Sequence, residues 1–211
     1  VCNTVDRACA TFEALRALAP TQHVELAHSR FRPAERAAWR QSFLSRDACV
    51  AGVDRIIVAT QVVEAGVDIS AGCVVTELAP WPSLVQRFGR CARYGGSGAC
   101  LVIDRGRDEK TALPYDTAEL DAAWSALGKL VDAGDGVGTA PLEAFEESLD
   151  DEARRNLFPY EPRNLLLRRE FDELFDTTPD LTGADLDISR FIREGEERDL
   201  QVFWLEIPKA A

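Results

Sequence analysis

Residues 55–60 have the sequence Arg-Ile-Ile-Val-Ala-Thr, a short apolar run between polar neighbours. A continuous apolar run of this length is typical of a strand that is buried on both faces of a parallel sheet. Four further segments predict strands of the same sheet: residues 1–5, 23–27, 73–78 and 99–104. The first of these segments is expected to be the tail of a strand.

Amphipathic segments separate these strands and predict helices. Residues 6–18 form the first, Pro33 begins a second that we expect to reach residue 44, and Pro82 begins a third. Strands that alternate with helices form βαβ units, and right-handed crossovers place helices on both faces of the sheet. We therefore predict an α/β fold for the first half of the chain.

The composition of the 211 residues indicates a soluble protein. Hydrophobic residues make up 46% of the chain, without an apolar run of about 18 residues. We expect a cytoplasmic protein with no membrane partner. The chain contains no methionine and opens inside a predicted strand, so we expect it to be a piece of a longer polypeptide.

The net charge of −12 is distributed unevenly between the two halves. Residues 1–107 hold 13 basic and 10 acidic residues, whereas residues 108–211 hold 11 and 26. Every basic residue of the first half is arginine, so that half can carry a local basic surface. The acidic second half is not expected to bind a polyanion by itself.

The six cysteines form no Cys-x-x-Cys pair, and neither histidine lies near paired cysteines. A zinc site is therefore not expected. We expect most of the cysteines to be small buried residues in a reducing compartment. They are Cys2, Cys9, Cys49, Cys73, Cys91 and Cys100.

Polar side chains follow several predicted strands. In a parallel sheet, ligands bind outside the carboxyl ends of the strands. Each of these segments alone is more often an ordinary polar loop, but their position at one shared edge favours a site. The residues are Asn3 and Thr4, then His28, Ser29 and Arg30, and finally Thr60 and Gln61, which lead into residues 64–68.

Residues 84–95, Leu-Val-Gln-Arg-Phe-Gly-Arg-Cys-Ala-Arg-Tyr-Gly, place two arginines three positions apart. On a helix, Arg90 and Arg93 would share one face. Two adjacent guanidiniums repel each other, and an anion between them offsets that repulsion. The planar guanidinium of arginine can bind phosphate through two hydrogen bonds. Gly89 would let another surface approach closely. The alternative is a solvated helix face that carries arginines.

These segments resemble the motifs of superfamily-two helicases. Residues 58–68 look like motif V and residues 86–93 like motif VI, while residues 1–5 and 26–31 resemble motif IV and the DNA-contacting segment after it. The versions found here are most similar to the CRISPR-associated helicase-nuclease of type I interference systems. Residues 175–183 and 187–193 resemble one branch of that family.

The resemblance implies that residues 1–107 are the second RecA-like domain of a two-domain motor, with a parallel sheet and helices on both faces. The upstream RecA-like domain would bind ATP through its phosphate loop and would hold Mg²⁺, and a nuclease domain would be present elsewhere. The printed residues contain no G-x-x-x-x-G-K-[ST], D-E-x-H or H-D signature. We therefore expect this fragment alone to be inactive.

The resemblance also implies roles for individual residues. Arg90 and Arg93 would be arginine fingers, and Gln86 would couple the nucleotide side to the strand side. Gly66, Gly89 and Asp68 would lie at the nucleotide, with Asp68 contacting ribose or orienting an arginine. Single-stranded DNA would contact Asn3, Thr4, Ser29, Arg30, Thr60 and Gln61. A further partner would be an RNA-guided DNA-targeting complex.

The second half is expected to be an accessory region with helices and strands. Residues 108–162 predict a helical linker, with an irregular connector at 152–162. Its helices are expected at 141–149 and at 116–131, the latter with Leu120, Trp124, Leu127 and Val131 along its apolar side. Residues 163–211 predict a small α+β region. It would contain a helix at 164–175, a hairpin of 188–192 with 201–207, and a solvated acidic loop with Asp176, Asp180, Asp185 and Asp187. That acidity would keep DNA away or hold a partner domain.

Two functions of different classes remain open at this point. The first is a motor that unwinds or translocates along DNA with ATP. The second is a non-catalytic nucleic-acid clamp or interaction module that retains helicase motifs. The presence of both Arg90 and Arg93 favours the motor, because a clamp without turnover does not need an arginine finger.

Overall fold

A computed structural model describes residues 1–50, 52–160 and 167–175. The chain divides into two compact units, Val1–Tyr160 and Glu161–Ala211. In the second unit the described residues include one helix, Arg168–Leu174. The predicted hairpin, the acidic loop at Asp176 to Asp187 and the segment 187–193 lie outside the described residues.

The first unit contains two pairs of parallel strands. Strands β1 (His23–Ala27) and β2 (Arg55–Ala59) form one pair, and β3 (Cys73–Glu77) and β4 (Ala99–Ile103) form the other. All four strands lie within one residue of their predicted bounds. The α/β class and the parallel pairing are therefore confirmed.

The first residues of the chain connect the two pairs. The Cys2 amide donates to the Ala59 carbonyl at 2.8 Å, and the Glu77 amide donates to the Val1 carbonyl at 3.0 Å. The prediction of a strand over residues 1–5 is wrong as an assignment, because helix α1 begins at Val5. The extended residues nevertheless lie between β2 and β3, and this brings Asn3 to the carboxyl ends of both strands.

Six α-helices lie in the described residues of the first unit, and two of them, α3 and α6, revise the predictions. Helix α3 ends at Phe88, so the prediction that Arg90 and Arg93 lie on a helix is wrong. Within the predicted irregular connector at 152–162, residues 152–157 belong instead to helix α6. The helices are α1 (Val5–Leu18), α2 (Pro33–Ser42), α3 (Trp81–Phe88), α4 (Thr117–Ala133), α5 (Thr139–Glu147) and α6 (Asp151–Leu157). None of the described helices is long and apolar enough to cross a membrane.

The largest core lies between α3 and α4. Trp81 and Leu84 of α3 are fully buried there. The face of α4 differs from the prediction, because Trp124 is 39% exposed and Val131 is 74% exposed. Leu120 and Leu127 are buried as predicted, and Ala123, Ala126 and Leu130 occupy the remaining buried positions of α4.

Helices cover the sheet only in part within the described residues. The side chains of α1 pack against β1 and β2, and the α3 core covers one face of β3 and β4. The other face of that pair leaves Val75, Leu101 and Ile103 about half exposed. On the other face of β1 and β2, Trp39 of α2 packs against the core that contains Ala27 and Ala59. Within the described residues, the expectation of helices on both faces is therefore met at β1 and β2 and not at β3 and β4.

Candidate functional site

A fully buried arginine lies at the centre of the predicted site. Arg87 belongs to the buried face of α3, together with Leu84 and Phe88, and its side chain has 0% exposure. A buried guanidinium is unfavourable unless its charge and donors are satisfied. Arg87 contacts five acceptors: Glu64 Oε1 (2.8 Å), Thr76 Oγ1 (2.8 Å), Asn3 Oδ1 (3.0 Å), the Tyr115 hydroxyl (3.1 Å) and the Glu77 carbonyl (3.2 Å).

Sequence reasoning gave Arg87 no role, although a signal was present. Its position three residues after Leu84 and one before Phe88 places it on the apolar stripe of a helix. A cation on such a stripe requires a buried partner. The partner, Glu64, lies in the segment that resembles motif V, and it was also given no role.

Glu64 joins two arginines of residues 86–93. Its carboxylate accepts from Arg87 Nε at 2.8 Å and from the Ser83 hydroxyl at 3.1 Å. Its backbone carbonyl accepts from Arg90 Nη2 at 2.6 Å. One residue thus fixes the end of α3 against the turn that follows β2.

Arg90 is buried against backbone rather than against a carboxylate. Its side chain donates to the Val63 carbonyl at 2.9 Å and to the Glu64 carbonyl, and the residue is only 8% exposed. Burial lowers the pKa of Arg90 below its usual value, and the nearby positive charge of Arg93 lowers that pKa further. The site therefore holds a positive charge that carbonyl dipoles compensate only in part.

Arg93 lies at the surface and pairs with Asp68. Its Nε donates to Asp68 Oδ1 at 3.0 Å, and both side chains are about half exposed. The Tyr94 hydroxyl donates to the Asp68 carbonyl at 2.7 Å, which fixes the same loop. Orientation of an arginine is one of the two roles expected for Asp68, and its relation to a nucleotide remains a prediction.

The other residues predicted near the nucleotide have fewer contacts. Gly66 has φ 71°, a left-handed conformation that favours glycine. A Cβ at Gly89 would meet only two carbonyls of α3 at 3.5 Å, so packing among the described residues does not require glycine there. Gln86 is exposed. Their assignment to nucleotide binding and to coupling stays a prediction.

The residues predicted to contact DNA divide into two groups. Asn3 and Thr60 are buried, and Asn3 Nδ2 donates to the Leu78 carbonyl at 2.7 Å. Thr4 caps helix α1. These side chains support the sheet edge, so they are less available to a ligand than the sequence suggested.

Ser29 and Arg30 form the exposed group after β1. Arg30 pairs with Asp6 at 3.2 Å, and both of those side chains are largely solvent-exposed. Gln61 lies between the two groups, half-buried beside Asn3 and Tyr115. Contact between any of these residues and DNA remains a prediction.

His28 is buried next to this exposed segment. Its ring lies 4.4 Å from that of Phe31, and its Nε2 is 3.7 Å from Cys9 Sγ. Its Nδ1 makes no hydrogen bond among the described residues. Burial lowers the pKa of His28, and the charge of Arg30 adds to the effect. The neutral imidazole is therefore favoured.

The cysteines correct one expectation. All six are free, but only Cys2 is buried, and Cys73 is exposed. Burial and the neighbouring Cys91 raise the pKa of the Cys100 thiol to about 12. Among the described residues no group of three or more histidine, cysteine or acidic side chains could hold a metal ion.

The parallel α/β unit and its interlocked segments have counterparts in known proteins. Residues 1–96 match the family model described as CRISPR-associated nuclease/helicase Cas3, C-terminal. This match confirms, for that part of the chain, the resemblance to the CRISPR-associated helicase-nuclease. A putative CRISPR-associated nuclease/helicase Cas3 of Myxococcus xanthus is 41% identical over 96 residues, which are 44% of this chain and 12% of that protein.

Solved structures show the same fold at low identity. The crystal structure of T. fusca Cas3-ADP matches with a TM-score of 0.59 and 21% identity, over 74% of this chain and 20% of that one. A chain of the CRISPR RNA-guided surveillance complex, pre-nicking, matches with a TM-score of 0.54 and 22% identity, over 72% of this chain and 21% of its own length. The chain spans only 11 to 14% of the curated relatives that it matches.

Proposed function

We propose that this chain is the C-terminal, RecA-like half of an ATP-dependent DNA helicase or translocase that acts in CRISPR interference. One observation carries the proposal: Arg87, Arg90 and Arg93 all bond to the segment 63–68. The two segments that resemble motifs V and VI thus form one rigid surface. The match of residues 1–96 of the chain to the family model of the Cas3 C-terminal part supports the same function.

In this proposal the arginines act on a nucleotide held mainly by an upstream RecA-like domain. Phosphoryl transfer is accelerated when positive charge lies where negative charge develops on the phosphate. Arg90 and Arg93 would provide that charge when the two domains close, while Gly66, Gly89 and Asp68 would line the cleft. The upstream domain would hold Mg²⁺. Hydrolysis would therefore depend on domain motion.

The strand-binding side would use exposed polar groups near the end of β1. Ser29 and Arg30 offer a hydroxyl and a cation to the sugar–phosphate backbone. Contacts of this kind carry no sequence information, which suits a protein that moves along DNA. An RNA-guided complex would deliver the DNA, as the name of one structural relative suggests.

A second candidate is a non-catalytic clamp, and one observation favours it. The Arg90 guanidinium donates to two backbone carbonyls, and Arg93 is already paired with Asp68. Arginines held in this way can stabilise the fold without acting on a nucleotide. The clamp would bind DNA without consuming ATP.

ATP turnover by the full-length protein separates the two candidates. The motor predicts hydrolysis that single-stranded DNA stimulates and displacement of a labelled strand from a duplex. The clamp predicts DNA binding of similar strength with no turnover above a no-enzyme control. DNA binding without any stimulated hydrolysis would contradict the motor.

A further inference from the structure

A tyrosine outside the segments that resemble helicase motifs connects the two sides of the site. Tyr115 precedes Asp116, the N-cap of α4, and its hydroxyl lies 3.0 Å from Gln61 Nε2 and 3.1 Å from Arg87 Nη2. A tyrosine hydroxyl has two acceptor lone pairs, so it accepts both hydrogen bonds together. Tyr115 therefore joins the turn after β2 to the end of α3.

The hydrogen bonds continue from Tyr115 towards the strand side. Gln61 Nε2 also donates to the Asn3 carbonyl at 2.9 Å. Because an amide nitrogen carries two hydrogens, one Gln61 side chain holds both Asn3 and Tyr115. Movement of Gln61 on contact with DNA would thus disturb the tyrosine hydroxyl.

The same network continues towards the nucleotide side. Arg87 leads from Tyr115 to the Glu64 carboxylate, and the Glu64 carbonyl accepts from Arg90. Arg87 is fully buried, so loss of one acceptor leaves a donor that water cannot satisfy. A displacement of Tyr115 would therefore be transmitted to the position of Arg87 and Arg90.

The segment before α4 holds Tyr115 in place. Its amide donates to the Ala112 carbonyl at 3.0 Å, and Arg7 of α1 donates to the Thr111 carbonyl at 2.9 Å. The ring packs at the edge of the α3–α4 core. The hydroxyl is thus held in place by the segment before α4. The exposed Gln86, which was expected to couple the two sides, forms no hydrogen bond with Gln61 or Arg87 in the structure.

We propose that Tyr115 is a positioning residue that couples DNA contact at Gln61 to the arginines at the end of α3. The proposal rests on the proposed motor function. Coupling between two sites is reciprocal, so DNA should change nucleotide affinity by the same factor by which nucleotide changes DNA affinity. Removal of the hydroxyl should reduce both factors.

The test uses Tyr115→Phe in the full-length protein, with Tyr160→Phe as the matched control because Tyr160 is 85% exposed. In Tyr115→Phe we expect the stimulation of ATP turnover by single-stranded DNA to fall at least about 5-fold. DNA-free turnover and DNA affinity without nucleotide should stay within about 2-fold of wild type, which is well below the loss expected for the stimulation by DNA. Tyr160→Phe should behave as wild type throughout.

A purely structural role for Tyr115 gives a different result. It would lower the midpoint of thermal unfolding and reduce DNA-free and DNA-stimulated turnover by the same factor. Unchanged stimulation in Tyr115→Phe would overturn the coupling proposal and leave the motor function intact. Wild-type protein that shows no DNA-stimulated turnover would instead overturn the proposed function itself.

Gln61→Leu provides a second variant if Tyr115→Phe does not fold. It breaks the network from the other side and leaves the contact between Tyr115 and Arg87 in place. In Gln61→Leu the dependence of nucleotide affinity on DNA should shrink at least about 5-fold, and an unchanged dependence would overturn the proposal. Where Tyr115→Phe does fold, the double variant should lose no more than either single one, and additive losses would also overturn the proposal.

Discussion

Two groups of arginines in this chain have opposite surroundings. Arg87 and Arg90 are buried at the end of α3, whereas the side chains of Arg93 and Arg30 are 44% and 68% exposed. The buried pair is satisfied by atoms of the chain itself. Each exposed arginine pairs with one surface carboxylate, and Arg93 also donates to the Gly89 carbonyl at 3.4 Å. Surface ion pairs of this kind contribute at most about 1 kcal/mol.

The comparison separates two roles that the motif pattern does not distinguish. Removal of a buried, hydrogen-bonded cation leaves a carboxylate and several acceptors without partners. Removal of an exposed arginine leaves the fold unchanged but removes a positive charge that an approaching ligand would contact. Arg87 should therefore affect stability, Arg30 and Arg93 should affect ligands, and Arg90 should affect both.

The largest effect is expected for ATP turnover. Arg90→Ala or Arg93→Ala in the full-length protein should reduce turnover by about 10³-fold or more, because charge on the transferred phosphate is then uncompensated. Single-stranded DNA affinity should change little. Steady-state hydrolysis with Arg16→Ala as a control, on the exposed last turn of α1, checks this. Turnover within a few-fold of wild type would exclude both arginines as fingers.

A large loss of stability is expected at Arg87. Arg87→Met should lower the free energy of unfolding by about 3 kcal/mol or more, because the Glu64 carboxylate, whose side chain is only 16% exposed, then loses its ion-pair partner. Arg93→Met is the matched control and should cost less than about 1 kcal/mol, because its ion pair is exposed. Denaturant unfolding of residues 1–211 measures both. Equal losses would contradict the contrast between buried and exposed arginines.

A smaller effect is expected for strand binding. Arg30→Ala should weaken affinity for single-stranded DNA equally on all sequences, because the lost contact is to phosphate. The slope of log affinity against log salt should flatten by about one unit or less. Titrations at several salt concentrations, with Arg16→Ala as the control, measure the change. A loss confined to one sequence would indicate base recognition instead.

The smallest effect concerns the pH dependence of stability. The folded-state pKa of His28 is lowered from 6.5, so the unfolded chain binds more protons than the folded chain at acidic pH. The contribution of His28 is present above pH 6.5 and is lost as the pH falls through its lower folded pKa. His28→Phe should make stability less dependent on pH between 7.5 and 5.5. An unchanged profile in His28→Phe would refute the assignment.

The strands could be predicted because they depend on local sequence. Apolar runs such as residues 55–60 have no alternation, and their short length and β-branched residues favour a strand buried on both faces over a helix. Arg87 could not be predicted in the same way. Its acceptors come from Glu64, Asn3 and Tyr115, which are far apart in the chain, and burial of a cation depends on all of them together.

The predictions for the end of α3 and for the buried face of α4 were wrong for different reasons. Gly89 terminates α3 before Arg90, so a spacing of three residues no longer places two arginines on one helix face. On α4, Trp124 and Val131 compete with Ala123 and Leu130 for the buried face. Ala123 is fully buried in the same core as Trp81, where a well-packed interior leaves little room for a larger side chain, and a hydrophobic pattern alone does not contain that information.

The most direct test of the account mixes residues 1–211 with the separately produced upstream part of the full-length protein and measures ATP turnover with single-stranded DNA. The account predicts no hydrolysis above background by either part alone. It predicts turnover that rises with the concentration of both parts and disappears when the fragment carries Arg90→Ala. Robust hydrolysis by residues 1–211 alone, or turnover in the mixture that is unaffected by Arg90→Ala, would contradict it.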